Sequence, residues 1–349
     1  MKNILVLGAG GPAGVNFLRS LELEKDIRLY GADINNYNRE FARPYCKEVF
    51  LIDKEYDKKL IFINRIIEEF NIDFVHAQPD PEVYFISKYR DKIKAKTFLP
   101  PHYAIEACQN KYTSALMWRD KWPQTFPFLI NPMRNLATVL SEIQEQLGEQ
   151  FWLRAMRGAG GKGSLLVKNL DHAYHWCKFW HFHAGINLVA QKYLSGRNFA
   201  WQSVWKNGEL IASQGRERLQ ALYGRASVSG ISGSSSVARL VNIDKLNEKA
   251  IDAIKLIDPR PHGVYSVDLT GDGDDIVPTE INAGRFFTMS YLLAKASIEA
   301  DTPRGNMPLT YLKLAFDEEI PPGAVTNLLP NTFYWFRHVD CGTRLLRNF

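Results

Sequence analysis

The chain has 349 residues, 46% hydrophobic and 12% aromatic, which supports two or three packed units and excludes a disordered chain. Its formal net charge of +5 is small for that length and fits anionic small molecules as well as nucleic acid, but no block of five basic residues occurs, so no nucleic-acid partner is expected. No apolar run approaches the roughly 18 residues of a membrane span. The N-terminus opens directly on a strand pattern, and Cys46, Cys108, Cys177 and Cys341 form no CxxC pair, so the expectation is a cytoplasmic protein with reduced thiols.

In chain order, a short apolar strand over residues 3–7 breaks into a turn with Gly8, Gly10, Gly11 and Gly14, and a helix follows over 15–23. Strands over 27–32 and 48–52 end in Asp33 and Asp53, an amphipathic helix covers 60–70, and a strand over 73–77 runs into a loop whose Asp80 and Glu82 are either amine-substrate contacts or merely solvated acids. Alternating strands and helices predict a parallel, doubly wound sheet ending near Pro100-Pro101. A helix over 104–121, a proline-rich connection over 123–132 and a helix over 136–148 come next. A strand over 151–155 enters the cluster Gly158, Gly160, Gly161, Lys162 and Gly163, and 165–168 returns as its partner. A helix over 171–184 precedes a largely β region with strands over 188–194, 199–206 and 209–214, a Gly/Ser-dense run over 224–236 and a helix over 246–258.

Two strands then carry the most informative pattern. With a turn over 271–275 between them, Asp268 and Glu280 stand side by side. Asn282 shares a face with Glu280, because side chains alternate along a strand. Three hard oxygen ligands with Arg285 adjacent suit Mg²⁺, although a surface hairpin with solvated acids is the simpler alternative. The two glycine clusters differ in kind. Gly8 to Gly14 with Asp33 resembles a dinucleotide fingerprint, so an NAD-dependent oxidoreductase is one reading and a tight strand–helix turn is the other. The cluster at 158–163 lies between two strands and fails the Walker A pattern, which suits a hairpin lid closing over phosphates, with an ordinary flexible hairpin as the alternative.

The order of these motifs resembles the ATP-grasp superfamily, and within it the carbamoyl-phosphate-synthase-like carboxylate–amine ligases, over residues 1–287. The resemblance rests on the N-terminal unit, Asn110-Lys111 opening a helix, a strand into a glycine-rich lid, Gln191-Lys192-Tyr193-Leu194 and Glu280-Ile281-Asn282. It implies a fold of mixed α/β and α+β class: a Rossmann-like parallel sheet over 1–103, then a two-lobed ATP-grasp fold. The small lobe with its lid would occupy 104–186 and the large lobe with its metal site 187–320, before a closing segment over 321–349. It further implies that Lys111 contacts ATP phosphates and that Arg154 stands where a lysine is usual. Gly158, Gly160 and Gly161 would cover the phosphates, with Lys162 in the same loop. Gln191 stands where an acid is common in the adenine hinge, to which Lys192 and Leu194 lend backbone groups. Asp268, Glu280 and Asn282 would hold Mg²⁺, and Arg285, one residue later than usual, would stabilise the transferred phosphate. Arg216, Glu217 and Arg218 resemble the segment that holds a carboxylate or acylphosphate.

The implied activity is ATP-dependent ligation of small-molecule carboxylate and amine substrates, with ATP and Mg²⁺ as cofactors. A nucleotide sensor or scaffold with a degenerate site is the non-enzymatic alternative. The oligomeric state stays open, a homodimer included. His172, His175, Cys177, His181 and His183 crowd one segment, but their aromatic neighbours point to helix packing rather than zinc.

Overall fold

A computed structural model describes the chain except residues 159, 225–233, 339–341 and 349, and except the side chains of 342–346. The N-terminal unit runs β1 (Lys2–Leu7), α1 (Pro12–Leu21), β2 (Ile27–Asp33), α2 (Arg39–Ala42), β3 (Glu48–Leu51), α3 (Tyr56–Phe70), β4 (Phe74–Ala77) and α4 (Asp80–Lys88). Its four strands pair in parallel in the order β3-β2-β1-β4. Ile4, Leu5, Val6 and Leu7 are all buried, because helices cover both faces of a parallel sheet.

The stretch expected as a loop after β4 is instead the first turn of α4, with proline in that turn. Glu82 therefore points inward, where its carboxylate accepts two hydrogen bonds from Lys59 Nζ (2.7 and 2.9 Å) and both side chains are buried. Burial raises the Glu82 pKa and Lys59 opposes that shift, so Glu82 is a core ion-pair partner rather than a loop acid.

Two helices, α5 (His102–Cys108) and α6 (Lys111–Trp118), replace the single one expected over 104–121. The Asn110 side chain accepts hydrogen bonds from the N–H groups of Tyr112 (3.1 Å) and Thr113 (3.3 Å), which starts a new helix there. The next unit holds β5 (Phe128–Leu129), α7 (Leu136–Leu147), β6 (Phe151–Ala155), β7 (Leu165–Val167), α8 (Leu170–Lys178) and β8 (Leu188–Lys192). Its antiparallel sheet has the order β5-β8-β6-β7, and Leu140, Ile143, Phe151, Leu153, Ala173 and Cys177 share its core. β8 pairs with β5 and β6, so it lies with the small sheet rather than beyond the boundary expected at 186/187. The helix expected over 171–184 ends at Lys178 and gives way to a π-helical turn, Phe179–His183.

The last unit comprises β9 (Arg197–Lys206), β10 (Glu209–Ala221), β11 (Ser235–Val241), α9 (Asp244–Ile257), β12 (Gly263–Gly271), β13 (Val277–Ala283), α10 (Ser290–Glu299), α11 (Met307–Ala315), β14 (Phe333–His338) and β15 (Gly342–Arg347). Its seven strands follow the order β13-β12-β9-β10-β11-β14-β15. The closing segment expected over 321–349 thus adds two strands to this sheet. Most of the Gly/Ser run over 224–236 lies outside the described residues.

α1 packs against α10 and α11 through a core that includes Phe17, Leu21, Leu292, Leu293 and Leu312. His76 of β4 lies within the same layers, stacked on Phe17 at 4.1 Å and 3.2 Å from the Tyr311 hydroxyl. Burial pushes its pKa down to about 3. The unfolded imidazole, with a pKa of about 6.5, binds a proton that the folded one refuses. Stability is therefore complete above that pH and falls as pH drops toward 3, by up to about 1.4 kcal/mol per pH unit. Urea unfolding at several pH values should show this slope, and His76→Gln should flatten it.

Candidate active site

The acids of the last hairpin meet as their alternation requires. Asp268 of β12 is directly opposite Glu280 of β13, and Ser266 is opposite Asn282. A bulge follows, with Leu269 opposite Pro278, so Thr279 is the extra residue. Its hydroxyl donates to the Asp268 carbonyl (3.1 Å), and its own carbonyl accepts a hydrogen bond from Arg154 (3.0 Å). The bulge therefore helps to seat the arginine that the small sheet sends over.

Glu280 is the hub. One carboxylate oxygen accepts from Arg154 at 2.6 Å, and the other lies 3.2 Å from Lys111 Nζ. Lys111 also donates to the Gly158 carbonyl at 2.8 Å, and Arg154 to the Gln191 side chain at 3.3 Å. A continuous chain of contacts thus runs from β8 through β6 and β13 to α6 and the glycine loop. It ties both sheets and the loop to one carboxylate.

The electrostatics of the two acids diverge. Burial opposes ionisation of Glu280, but Lys111, Arg154 and Arg285 outweigh it and hold its pKa below the ordinary value. Burial raises the Asp268 pKa, Arg218 lowers it, and Glu280 opposite raises it again. Among the described residues the Asp268 carboxylate accepts no hydrogen bond. A half-buried carboxyl beside a second acid and an amide oxygen is an all-oxygen donor set that a divalent cation would complete, so these residues fit Mg²⁺.

Arg285 donates to the Asn282 amide oxygen and lies 2.6 Å from an Asp80 oxygen as a close ion pair. Its neighbours are clamped, because Gln78 accepts from the Phe286 N–H (3.1 Å) and Gln202 from the Phe287 N–H (2.6 Å). Neither glutamine was singled out in the sequence. The available signal was an amide inside an apolar strand, as Gln202 stands in Phe-Ala-Trp-Gln-Ser-Val-Trp. Ser235, also unanticipated, accepts from Arg216 (2.6 Å) and Arg218 (3.2 Å). Glu217 points away from that pair and binds Arg197 and Arg239 instead.

Lys162 is exposed and does not join the cluster, although its carbonyl accepts the Ala155 N–H at 3.3 Å. Gly158, Gly160, Gly161 and Gly163 all have positive φ, between 67° and 121°. Gln191 faces Arg154, the Lys192 side chain is exposed, and Leu194 packs partly against the core. The histidine segment gathers no ligand set. His175 pairs with Asp171, His181 with Asn187, and His183 stacks on Phe179. Among the described residues no group of three His, Cys, Asp or Glu side chains comes together.

No protein-family model matches the sequence and no curated protein matches it. Solved structures do match, over nearly the whole chain. Carboxyaminoimidazole ribonucleotide synthase from Aspergillus clavatus, complexed with ATP, superposes with a TM-score of 0.69 at 19% identity, covering 96% of this chain and 81% of that one. The biotin carboxylase domain of 2-oxoglutarate carboxylase from Hydrogenobacter thermophilus, with MgADP and bicarbonate, gives 0.67 at 13% identity over 96% and 73%. L-amino acid ligase from Bacillus licheniformis gives 0.67 at 13% over 96% and 79%. The fold is that of the ATP-grasp enzymes.

Within this fold the N-terminal glycine turn is committed to its own packing. A Cβ on Gly10 would lie 1.9 Å from the Asn38 carbonyl oxygen, one on Gly8 2.3 Å from Pro79, and one on Gly14 2.2 Å from the Gly8 oxygen. The Gly10 N–H donates to Asp33, the Gly11 N–H to Gly8, and Asp33 is buried. The donors and the acid that a dinucleotide would need are already engaged. Titration calorimetry with NAD and NADP should register no binding, and micromolar affinity for either would overturn this account of the turn.

Among the described residues no helix is long and apolar enough to cross a membrane.

Proposed function

We propose that the protein is an ATP-dependent carboxylate–amine ligase. The observation that carries this is the convergence of Lys111 and Arg154 on Glu280, opposite Asp268 and beside Asn282. It occurs in a fold whose neighbours were crystallised with ATP or MgADP. An oxygen of the substrate carboxylate attacks the γ-phosphorus of ATP, giving an acylphosphate and ADP. The amine nitrogen then attacks the acyl carbon, phosphate leaves, and the nitrogen loses its proton as the amide forms.

In this proposal Lys111, Arg154 and the backbone at Gly158, Gly160 and Gly161 hold the phosphates, while Gln191 and the backbone of Lys192 and Leu194 hold the base. Asp268, Glu280 and Asn282 would bind Mg²⁺, which neutralises charge on the phosphate oxygens when bound. Arg285, already on Asn282, and Arg218, whose charge bears on Asp268, flank the transferred phosphoryl group. Lys162 would bring a further positive charge from the loop. The work of the chain is mostly positioning and electrostatics. Unpaired Cys46, Cys108 and Cys177 fit a reducing cytoplasm. A homodimer is the assembly we propose, on the likeness to the carboxylase domain crystallised as one.

The test has two stages. MgATP, and not NAD, should raise the melting temperature. Pools of carboxylic acids and amines should then be scanned for ADP release and for a product mass equal to acid plus amine minus water. ATP stabilisation with no ADP release from any pool would leave a sensor and reject the ligase.

A further inference from the structure

The sheet face that carries Asp268 and Glu280 continues to β14, and its far end is basic. Glu280 is opposite Asp268, Asp268 opposite Ala200, and Ala200 opposite Arg216. One step along, Arg218 is opposite Ala238, and Ala238 is opposite Trp335. Because side chains alternate, Arg216, Arg218, Trp335 and Arg337 share the face of the two acids.

Among the described residues, three buried donors on this face find no partner: Arg216 Nε, Trp335 Nε1 and one terminal nitrogen of Arg337. Arg216 is 8% exposed and Trp335 1%. The Arg216 guanidinium lies 4.8 Å from the Phe287 ring and 5.6 Å from the Trp335 ring, so it leans toward β14. Among the described residues its one hydrogen bond is to the neutral Ser235 hydroxyl, which it shares with Arg218. Among the described residues no carboxylate reaches ion-pair distance of Arg216, Arg218 or Arg337, whereas Lys111, Arg154 and Arg285 each have one. Asp268 bears on Arg216 only without contact, and a buried cation with no carboxylate in contact is costly, as are buried N–H donors left unpaired. An anion offsets both.

The β14 end of this face, with Trp335 and Arg337, is the part removed from the two acids. β12 and β10 are two strand spacings apart, roughly 10 Å, and β14 stands two spacings further on. We propose that Arg216, Trp335 and Arg337 form a second anion subsite, and that the acid substrate carries, besides its reacting carboxylate, a second anionic group, a carboxylate or a phosphate monoester. The subsite follows from the unpartnered donors, and its link to a reacting carboxylate rests on the ligase proposal above.

Calorimetry on the full chain with MgADP present tests this without turnover. The probes are straight-chain dicarboxylates of increasing length, their half-esters, and the matching acids ending in a phosphate monoester. A dianion of suitable length should bind at least roughly tenfold more tightly than its half-ester, the magnitude of one charge-assisted hydrogen bond. Whichever dianion series binds more tightly identifies the second group. Arg337→Met should reduce that preference to about twofold with half-ester affinity unchanged, and Arg337→Lys should restore part of it. Trp335→Phe, which removes one N–H and keeps the ring, should weaken the preference on its own and covers the case in which Arg337→Met folds poorly. No preference in the parent protein, or a preference intact in both Trp335→Phe and Arg337→Met, overturns the subsite. Dianion binding without ADP release from any amine pool would keep the subsite and reject the ligase; equal turnover of half-esters and dianions would do the reverse.

Discussion

Asp268→Asn and Glu280→Gln should each lower ADP formation by about a hundredfold or more, the scale set by removing one preorganised electrostatic contact. Their effects on stability should have opposite signs. Glu280 is held ionised by Lys111, Arg154 and Arg285, and two of those cations bind it directly. Glu280→Gln leaves them facing a neutral amide and should lower the melting temperature. Asp268 is opposed in its charged state by burial and by Glu280, and among the described residues its carboxylate accepts no hydrogen bond. Asp268→Asn removes that conflict and should leave the metal-free melting temperature unchanged or raised. Both variants should lose most of the stabilisation that MgATP gives the parent protein. Thermal melts with and without MgATP, alongside ADP release at saturating substrates, check all of this. Near-normal turnover in both variants rejects the metal assignment. A melting temperature lowered equally in both would mean that Asp268 is a structural partner.

The legibility of this site in the sequence followed the range of the interactions involved. The Asp268–Glu280–Asn282 face was readable because a period of two and a turn over residues 271–275 are local signals. The glycine loop between two strands was readable for the same reason. The break between α5 and α6 depends on one capping side chain, Asn110, inside an otherwise helical run. β8 looked like the start of the large lobe because strand patterning does not say which sheet a strand joins. Glu82 looked solvated because its partner Lys59 is 23 residues away. α10 and α11 left no helical stripe because they bury neighbouring residues on several sides, as Leu292, Leu293 and Ala294 are buried in succession. The subsite donors come from β10 and β14, which the sequence separates by more than a hundred residues.

The glycine loop should order on nucleotide, and Gly160→Pro or Gly161→Pro should impair turnover far more than ATP binding. The loop is anchored at both ends. Lys111 holds the Gly158 carbonyl, and Trp176 donates to the Gly163 carbonyl at 3.0 Å. Gly160 and Gly161 between them have φ of 74° and 79°. A Cβ on Gly160 would meet nothing within 4 Å, so dihedral angle rather than crowding sets its tolerance. Proline fixes φ near −65° and cannot adopt that geometry. Closing such a loop costs roughly 1–2 kcal/mol per fixed residue, which only new contacts to phosphate can offset. Hydrogen exchange at Gly158 and across residues 160–164 should therefore slow when MgATP is added, together with exchange near Lys192. The proline variants should keep the protection near Lys192 and lose it in the loop, because Lys111, Arg154 and Gln191 still hold the nucleotide. Protection near Lys192 with no change in the parent loop would mean that the loop is a surface hairpin, and that water must be excluded from the acylphosphate by some other part of the chain.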